Sequence, residues 1–128
     1  MQLRLQDNLP FVAVVLHYGS QSIEIPNVLV DTGSATTILA ADAVQKVQIF
    51  PEPNDTLFTI RGVGGSEVVF SRKVGALELG NCRLEQFEIE VGGMDYGFDI
   101  NGILGMDFLT QARAILNLDR LEIEFGQS

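Results

Sequence analysis

The sequence predicts an all-β domain, a small closed β-barrel with one or two short helices. Strand signals recur along the whole chain, and turns rich in glycine, proline and asparagine separate them. Hydrophobic residues make up 46% of the 128 residues, which is enough to bury a core without disulfides. The sequence has no repeats, linkers or low-complexity tracts, so residues 1–128 are predicted to form one domain.

The first predicted hairpin pairs an apolar run at residues 11–17 with a strand at 22–25. Pro26 and Asn27 are expected to interrupt this pairing. A buried strand is predicted at 28–30, because β-branched and aliphatic residues suit a pleated surface packed on both sides.

Further along the chain, helix formers with apolar spacing predict a short helix over residues 40–47. The later predicted elements are a proline-rich loop at 51–55, strands at 57–61 and 67–70 around a glycine tip, a hairpin of 74–79 with 83–91, a flexible link at 92–97, a helix at 106–113 and a strand at 121–125.

The composition excludes several classes of function. Eight Lys and Arg stand against seventeen Asp and Glu, and Arg72-Lys73 is the only basic pair, so no nucleic-acid partner is predicted. No apolar stretch approaches the roughly 20 residues that cross a bilayer, so membrane insertion is not expected. Cys82 is the only cysteine and no secretion signal is visible, which predicts a reducing, cytoplasmic location.

Metal, phosphate and serine chemistry lack their characteristic residues. One His and one Cys cannot build a zinc site, and Asp95 with Asp99 lacks the spacing of a calcium loop. The glycine tip at 62–65 is not followed by the Lys-Ser/Thr of a phosphate-binding loop. Ser34 has no visible His partner. The sequence therefore predicts neither a metal nor a cofactor.

The candidate catalytic group is Asp31, which ends an apolar strand and precedes Thr32 and Gly33. Glycine permits a tight turn here, and Asp and Thr side chains can hydrogen-bond their own backbone within it. Burial raises the pKa of a carboxyl group and hydrogen bonds lower it, so such a position suits acid–base work. An Asp-Thr-Gly tripeptide arises by chance in roughly one chain of this size in forty, so an ordinary turn residue is the alternative.

Two further elements raise the odds of a catalytic site, and together the three resemble the retropepsin-like aspartic proteases. The catalytic signature of that family matches residues 29–39, Leu-Val-Asp-Thr-Gly-Ser-Ala-Thr-Thr-Ile-Leu. Its flap signature matches residues 62–65, and the apolar-apolar-Gly element before its helix matches residues 103–105. The resemblance implies that the two strand-to-glycine elements cross in the centre of the barrel, with Asp31 under the flap.

The resemblance implies an aspartic endopeptidase that hydrolyses extended polypeptides as a homodimer, without a cofactor. Because the chain carries Asp-Thr-Gly once, a second Asp31 must come from a symmetry mate. Thr32 is then expected to tie the two loops together, Gly33 to bind substrate backbone and Ser34 to hydrogen-bond near the catalytic carboxylate. The implied substrate-binding residues are Ala35, Gly62, Val63, Gly64, Gly65 and Ile103.

The sequence departs from the viral pattern at Ala35, where viral relatives carry an acidic residue that helps to bind substrate backbone. Viral-type substrate contacts are therefore not expected there. Residues 1–5 and 121–125 are candidate dimer contacts, since interleaved termini are the habit of the family.

A second interpretation keeps the fold and the dimer but not the chemistry. The protein would then bind an extended peptide without cutting it, because a fold does not fix a function. Cleavage that depends on Asp31 separates the two interpretations.

Overall fold

The computed structural model describes residues 1–62, 65–94 and 99–126. The strands are β1 (Arg4–Gln6), β2 (Leu9–Tyr18), β3 (Gln21–Val30), β4 (Ile38–Ala40), β5 (Leu57–Gly62), β6 (Gly65–Lys73), β7 (Ala76–Leu79), β8 (Cys82–Glu85), β9 (Glu88–Gly92), β10 (Gly102–Leu104), β11 (Ala114–Asn117) and β12 (Glu122–Phe125). The helices are α1 (Ala41–Val44), which continues into a 3-10 turn (Gln45–Val47), and α2 (Met106–Gln111).

The all-β prediction is confirmed: strands dominate the described residues, the helices are few and short, and the main sheet curls into a half barrel. Ten strands form that sheet in the order β5-β6-β9-β4-β10-β3-β2-β7-β8, with β1 paired to β2. The strands β11 and β12 form a separate antiparallel pair. None of the described helices is long and apolar enough to cross a membrane.

The position of β10 brings the two strand-to-glycine elements together. It lies between β3, with which it is parallel, and β4, with which it is antiparallel. Leu104 is opposite Val30 in this register, so the residues that follow, Gly105 and Asp31, leave the sheet side by side. The predicted meeting of the two elements is confirmed.

The hairpin of β2 and β3 is longer than the sequence predicts. Pro26 and Asn27 do not end the strand; instead the register shifts between Val12 and Val14, and Asn27 takes a φ of 58°. A strand proline is tolerated at such an irregularity, and asparagine enters the left-handed region more easily than most residues.

The prediction of one continuous strand over residues 83–91 is wrong, because the strand is interrupted at Gln86, where φ is 52°. The Gln86 N–H donates to the Gly75 carbonyl, and the Val74 N–H donates to the Phe87 carbonyl. This turn lets β8 stay with β7, while β9 leaves the hairpin to pair with β6 and β4.

Both predicted helices form, but each is shorter than predicted. The 3-10 turn after α1 ends at Val47, because φ is 69° at the next residue, Gln48. After α2 the chain leaves the helical region at Arg113, where φ is 54°. The helix α2 is held by Phe108, which is fully buried and meets the Phe87 ring edge-on at 5.6 Å between centroids.

The chain termini pair with each other inside one chain. The Leu3 N–H donates to the Leu121 carbonyl at 2.7 Å, and the Ile123 N–H donates to the Met1 carbonyl at 2.9 Å. Leu3 and Ile123 are both buried, which anchors this pairing. Among the described residues β11 pairs only with β12, so the other edge of β11 has no strand partner.

Candidate active site

Asp31 is the first residue beyond β3, and its backbone extends the strand ladder by one bond. Its N–H donates to the Leu104 carbonyl at 3.0 Å. The preceding Val28 and Val30 are buried, whereas the Asp31 side chain is half-buried. The carboxylate is therefore carried by a rigid strand and stays open to solvent on one side.

The turn after Asp31 orients its carboxylate. The Gly33 N–H donates to Asp31 Oδ1 at 2.9 Å, and the Ser34 N–H donates to the Asp31 carbonyl at 3.2 Å. This is an Asx-type turn, in which a side-chain oxygen takes the place of a backbone acceptor. One carboxylate oxygen is thus fixed by a backbone amide.

Gly33 serves a different purpose from the one that the sequence suggests. Its φ is not in the left-handed region, where the described glycines are Gly19 and Gly80. A β-carbon at residue 33 would instead lie 3.2 Å from Asp31 Oδ1. The glycine makes room for the carboxylate rather than for an unusual backbone angle.

Ser34 does not donate to the carboxylate in the single chain. Its Oγ donates to the Thr36 carbonyl at 2.8 Å. A hydroxyl has one proton to donate, so this bond competes with the hydrogen bond to the carboxylate that the resemblance implies. Ser34 therefore stabilises the shape of the loop.

Thr37 and Asp107, which lie 70 positions apart in the sequence, anchor the loop that follows Asp31. Thr37 Oγ1 donates to Asp107 Oδ1 at 2.7 Å, and the Thr37 N–H donates to Asp107 Oδ2 at 3.2 Å. Thr37 Oγ1 also accepts the Gly105 N–H at 3.0 Å. Thr37 is fully buried, so these bonds are shielded from water.

Sequence reasoning missed Asp107 as a functional support, because it treated the residue as part of a helix. An acid in the first turn of α2 is the signal that could have found it. The Asp107 side chain does more than complement the helix N-terminus, since it fixes Thr37 and with it the strand that follows the Asp31 turn.

Gly105 allows the two elements to touch. A β-carbon there would lie 2.1 Å from the Thr36 carbonyl oxygen and 2.9 Å from that of Ser34. Next to it, the Met106 N–H donates to the Ser34 carbonyl at 2.8 Å, and the Asp107 N–H donates to the Ala35 carbonyl at 3.2 Å. The first amides of α2 therefore hold the loop after Asp31 directly.

The remaining predicted site residues fall into three groups. Thr32, Gly33 and Ala35 are exposed around Asp31. Ile103 is half-buried in β10, opposite Leu29. Gly62 and Gly65 pair at the end of the β5–β6 hairpin, whereas Val63 and Gly64 lie outside the described residues, so the flap stays a prediction.

Three further features of the described residues concern metal-binding and nucleophilic side chains. It contains no group of three or more His, Cys, Asp and Glu side chains that could hold a metal ion. Burial raises the pKa of the Cys82 thiol, which disfavours the reactive thiolate. His17 is paired with Glu78, which also binds Arg83.

The comparisons with known proteins agree with this geometry. The family model described as gag-polyprotein putative aspartyl protease matches residues 24–111, a span that includes both strand-to-glycine elements. None of the curated proteins matches the chain. Because the family model covers more than half of the sequence, the chain belongs to this retropepsin-like family of aspartyl proteases.

Proposed function

We propose that the protein is an aspartic endopeptidase that acts as a homodimer on extended polypeptides. The observation that carries the proposal is the Asp31 carboxylate, which is half-buried, fixed by the Gly33 N–H and supported by the crossing of β3 and β10. Membership of an aspartyl protease family supports the reaction class.

The proposed chemistry needs two carboxyl groups that share one proton. Two carboxylates held close together cannot both ionise, so one stays protonated. The ionised group takes a proton from a water molecule, whose oxygen attacks the scissile carbonyl carbon. The protonated group donates a hydrogen bond to the carbonyl oxygen, and a proton then passes to the departing amine as the C–N bond breaks.

One chain supplies one such aspartate, so the second is proposed to come from a partner across a two-fold axis. The exposed Thr32 beside Asp31 is free to meet its symmetry mate. Among the described residues one edge of β11 has no strand partner, and it offers a second contact, with Ile115 and Leu118 exposed on and beside it. This edge replaces the terminal segments as the interface candidate, because those segments are already paired within the chain.

The substrate is proposed to be a peptide or an unfolded protein in extended form. Gly33 and Ala35 expose backbone next to the carboxylate, and the β5–β6 hairpin would close over the bound chain. We place this activity in the cytoplasm, because the sequence has a single cysteine and thus no intrachain disulfide to form.

The test is cleavage of a denatured protein and a peptide library across acidic to neutral pH, with pepstatin as an inhibitor control. We expect Asp31→Asn to lose about 10³-fold or more of the activity, because the amide keeps the size of the carboxylate but cannot act as a base. Asp42→Asn is the matched control, since Asp42 is exposed on α1.

Sedimentation of both variants would show whether the dimer forms without the catalytic charge. Equal cleavage by Asp31→Asn and wild type would exclude Asp31 as the catalytic group. Peptide binding without any cleavage by the wild type would favour the silent binding module instead.

A further inference from the structure

A groove of about 420 Å³ adjoins the support of the catalytic loop. Its lining comes from α2, from β6 and β9, from the turn before β9 and from the loop that follows Asp31. The polar lining residues include Thr36, Ser71, Lys73, Glu90, Asp107 and Gln111. Thr36 and Asp107 line the groove and also support the loop after Asp31, so the groove begins where that loop ends. The proposed mechanism does not use it.

Glu90 is the unusual member of this groove. It lies in the middle of β9, opposite Ser71 on one side and Ile38 on the other, and the residue is 9% exposed. Its Oε1 is shielded from solvent and accepts no hydrogen bond from any described residue. Buried carboxylates are almost always paired, so this atom indicates a missing partner.

The charges around Glu90 favour a cation as that partner. Three carboxylates, those of Glu88, Glu90 and Asp107, line the groove together with one ammonium, that of Lys73. Asp107 is already fixed by Thr37, so its negative charge cannot turn away. Lys73 is exposed opposite Glu88, and no salt bridge between described residues includes it.

An organic cation fits better than a metal ion. The described residues offer no group of three side chains suited to a metal. A guanidinium needs only one carboxylate for a two-point contact, and its other N–H groups can bond neutral oxygens such as those of Gln111 and Ser71. The last torsion of a Glu side chain is soft, so the carboxylate can turn an oxygen toward a ligand in the groove.

We propose that the groove binds an arginine side chain of the polypeptide substrate, with Glu90 as its acceptor. This rests on the proposed function, because a peptide lying along the exposed Gly33 and Ala35 runs toward Thr36 and hence toward the groove. The groove then selects substrates with a basic residue to one side of the scissile bond.

The experiment measures binding in Asp31→Asn, so that its outcome does not depend on cleavage. N-acetyl-arginine methylamide is titrated into the labelled protein while amide NMR shifts are followed at Ser71, Lys73 and Gln111. The matched ligand is N-acetyl-citrulline methylamide, which has the same shape without the charge. We expect saturable shifts with arginine and binding weaker by about tenfold or more with citrulline.

Three second-site variants sharpen the result. Glu90→Gln keeps the size of the side chain and is expected to weaken arginine binding by about tenfold or more. Glu88→Gln, at the exposed rim, is expected to weaken it by only about twofold. Glu24→Gln makes the same change on an exposed residue of β3 and is expected to leave binding unaltered.

The proposal is overturned if arginine gives no saturable shifts, if citrulline binds as well, or if Glu90→Gln binds arginine like its parent. If the protein binds arginine as expected but never cleaves peptides, the groove proposal is supported and the proposed protease activity is contradicted. If it cleaves peptides without the arginine response, the protease activity is supported and the groove proposal is contradicted.

Discussion

The loops at Gly33 and Gly105 both follow an apolar strand and meet at the same crossing, but each needs a glycine for a different steric reason. A β-carbon at Gly105 would lie 2.1 Å from a backbone oxygen, whereas one at Gly33 would meet a side-chain oxygen at 3.2 Å. The contact at Gly33 is relieved if the Asp31 side chain shifts by a few tenths of an ångström. The contact at Gly105 would require a hydrogen-bonded backbone to shift by more than one ångström, which it cannot do. The fold therefore requires a glycine at residue 105, whereas the position of the Asp31 carboxylate requires one at residue 33.

The largest expected effect follows from Gly105→Ala. The new methyl group would force the loop at Thr36 away from β10 and break the bonds that hold Thr37 and Met106, so we expect a loss of about 4 kcal/mol or more in the free energy of unfolding. Urea denaturation measures this loss. Gly19→Ala is the control: it has open space but a φ of 60°, and we expect it to cost about 1–2 kcal/mol. Equal losses would show that the close contact at Gly105 is relieved cheaply.

Gly33→Ala tests the other half of the comparison. The methyl group would press on Asp31 Oδ1 and displace the carboxylate slightly, so we expect about a tenfold loss of kcat/KM. The free energy of unfolding should change by less than about 1 kcal/mol, because no backbone must move. A variant that unfolds readily but cleaves normally when folded would reverse the assignment.

The crossing could be predicted because the resemblance to retropepsin-like proteases implies it, and the two motifs that carry the resemblance are local. An apolar run followed by Asp-Thr-Gly, and another followed by Gly105, are patterns within a few residues. The bond from Thr37 to Asp107 joins residues 70 positions apart, and nothing near either one indicates the other. The break at Gln86 was equally hidden, because glutamine seldom takes the positive φ found there.

The position of Ser34 shows a finer limit. The resemblance implies a bond to the carboxylate, but in the structure the hydroxyl donates its one proton to the Thr36 carbonyl. A choice of acceptor within a loop depends on distances of less than an ångström. Residue spacing cannot report such a difference.

Ser34→Ala tests which oxygen accepts the hydrogen bond from the Ser34 hydroxyl. Since the lost hydrogen bond joins Ser34 to the Thr36 carbonyl, we expect the free energy of unfolding to fall by about 1 kcal/mol. The pH profile of cleavage should keep its position, because the carboxylate loses no donor. A profile that moves toward neutral pH would show instead that the hydroxyl turns to the carboxylate in the proposed dimer.

The smallest effect is expected far from the crossing, at the loop before β5. There Arg72, with its side chain 10% exposed, binds Asp55 at 2.8 Å and the Phe50 carbonyl at 3.1 Å. The Glu52 N–H and the Arg72 guanidinium hold the pKa of Asp55 below its usual 3.8. A carboxyl group with a lowered pKa stabilises the fold above its ordinary pKa, and that stabilisation is lost as the pH falls through the lowered value.

Asp55→Asn tests this linkage, since the amide oxygen can still accept both hydrogen bonds but carries no charge. At neutral pH the variant should melt slightly below the wild type, because it lacks the attraction to Arg72. The two melting temperatures should converge only as the pH falls below 3.8 and through the lowered pKa, where the wild-type carboxyl group becomes protonated as well. Melting curves recorded across this range for both proteins provide the measurement, and Asp42→Asn controls for the loss of one exposed charge. Curves that stay parallel down to the lowest pH would mean that the charge on Asp55 does not hold the loop, and that its hydrogen bonds alone do.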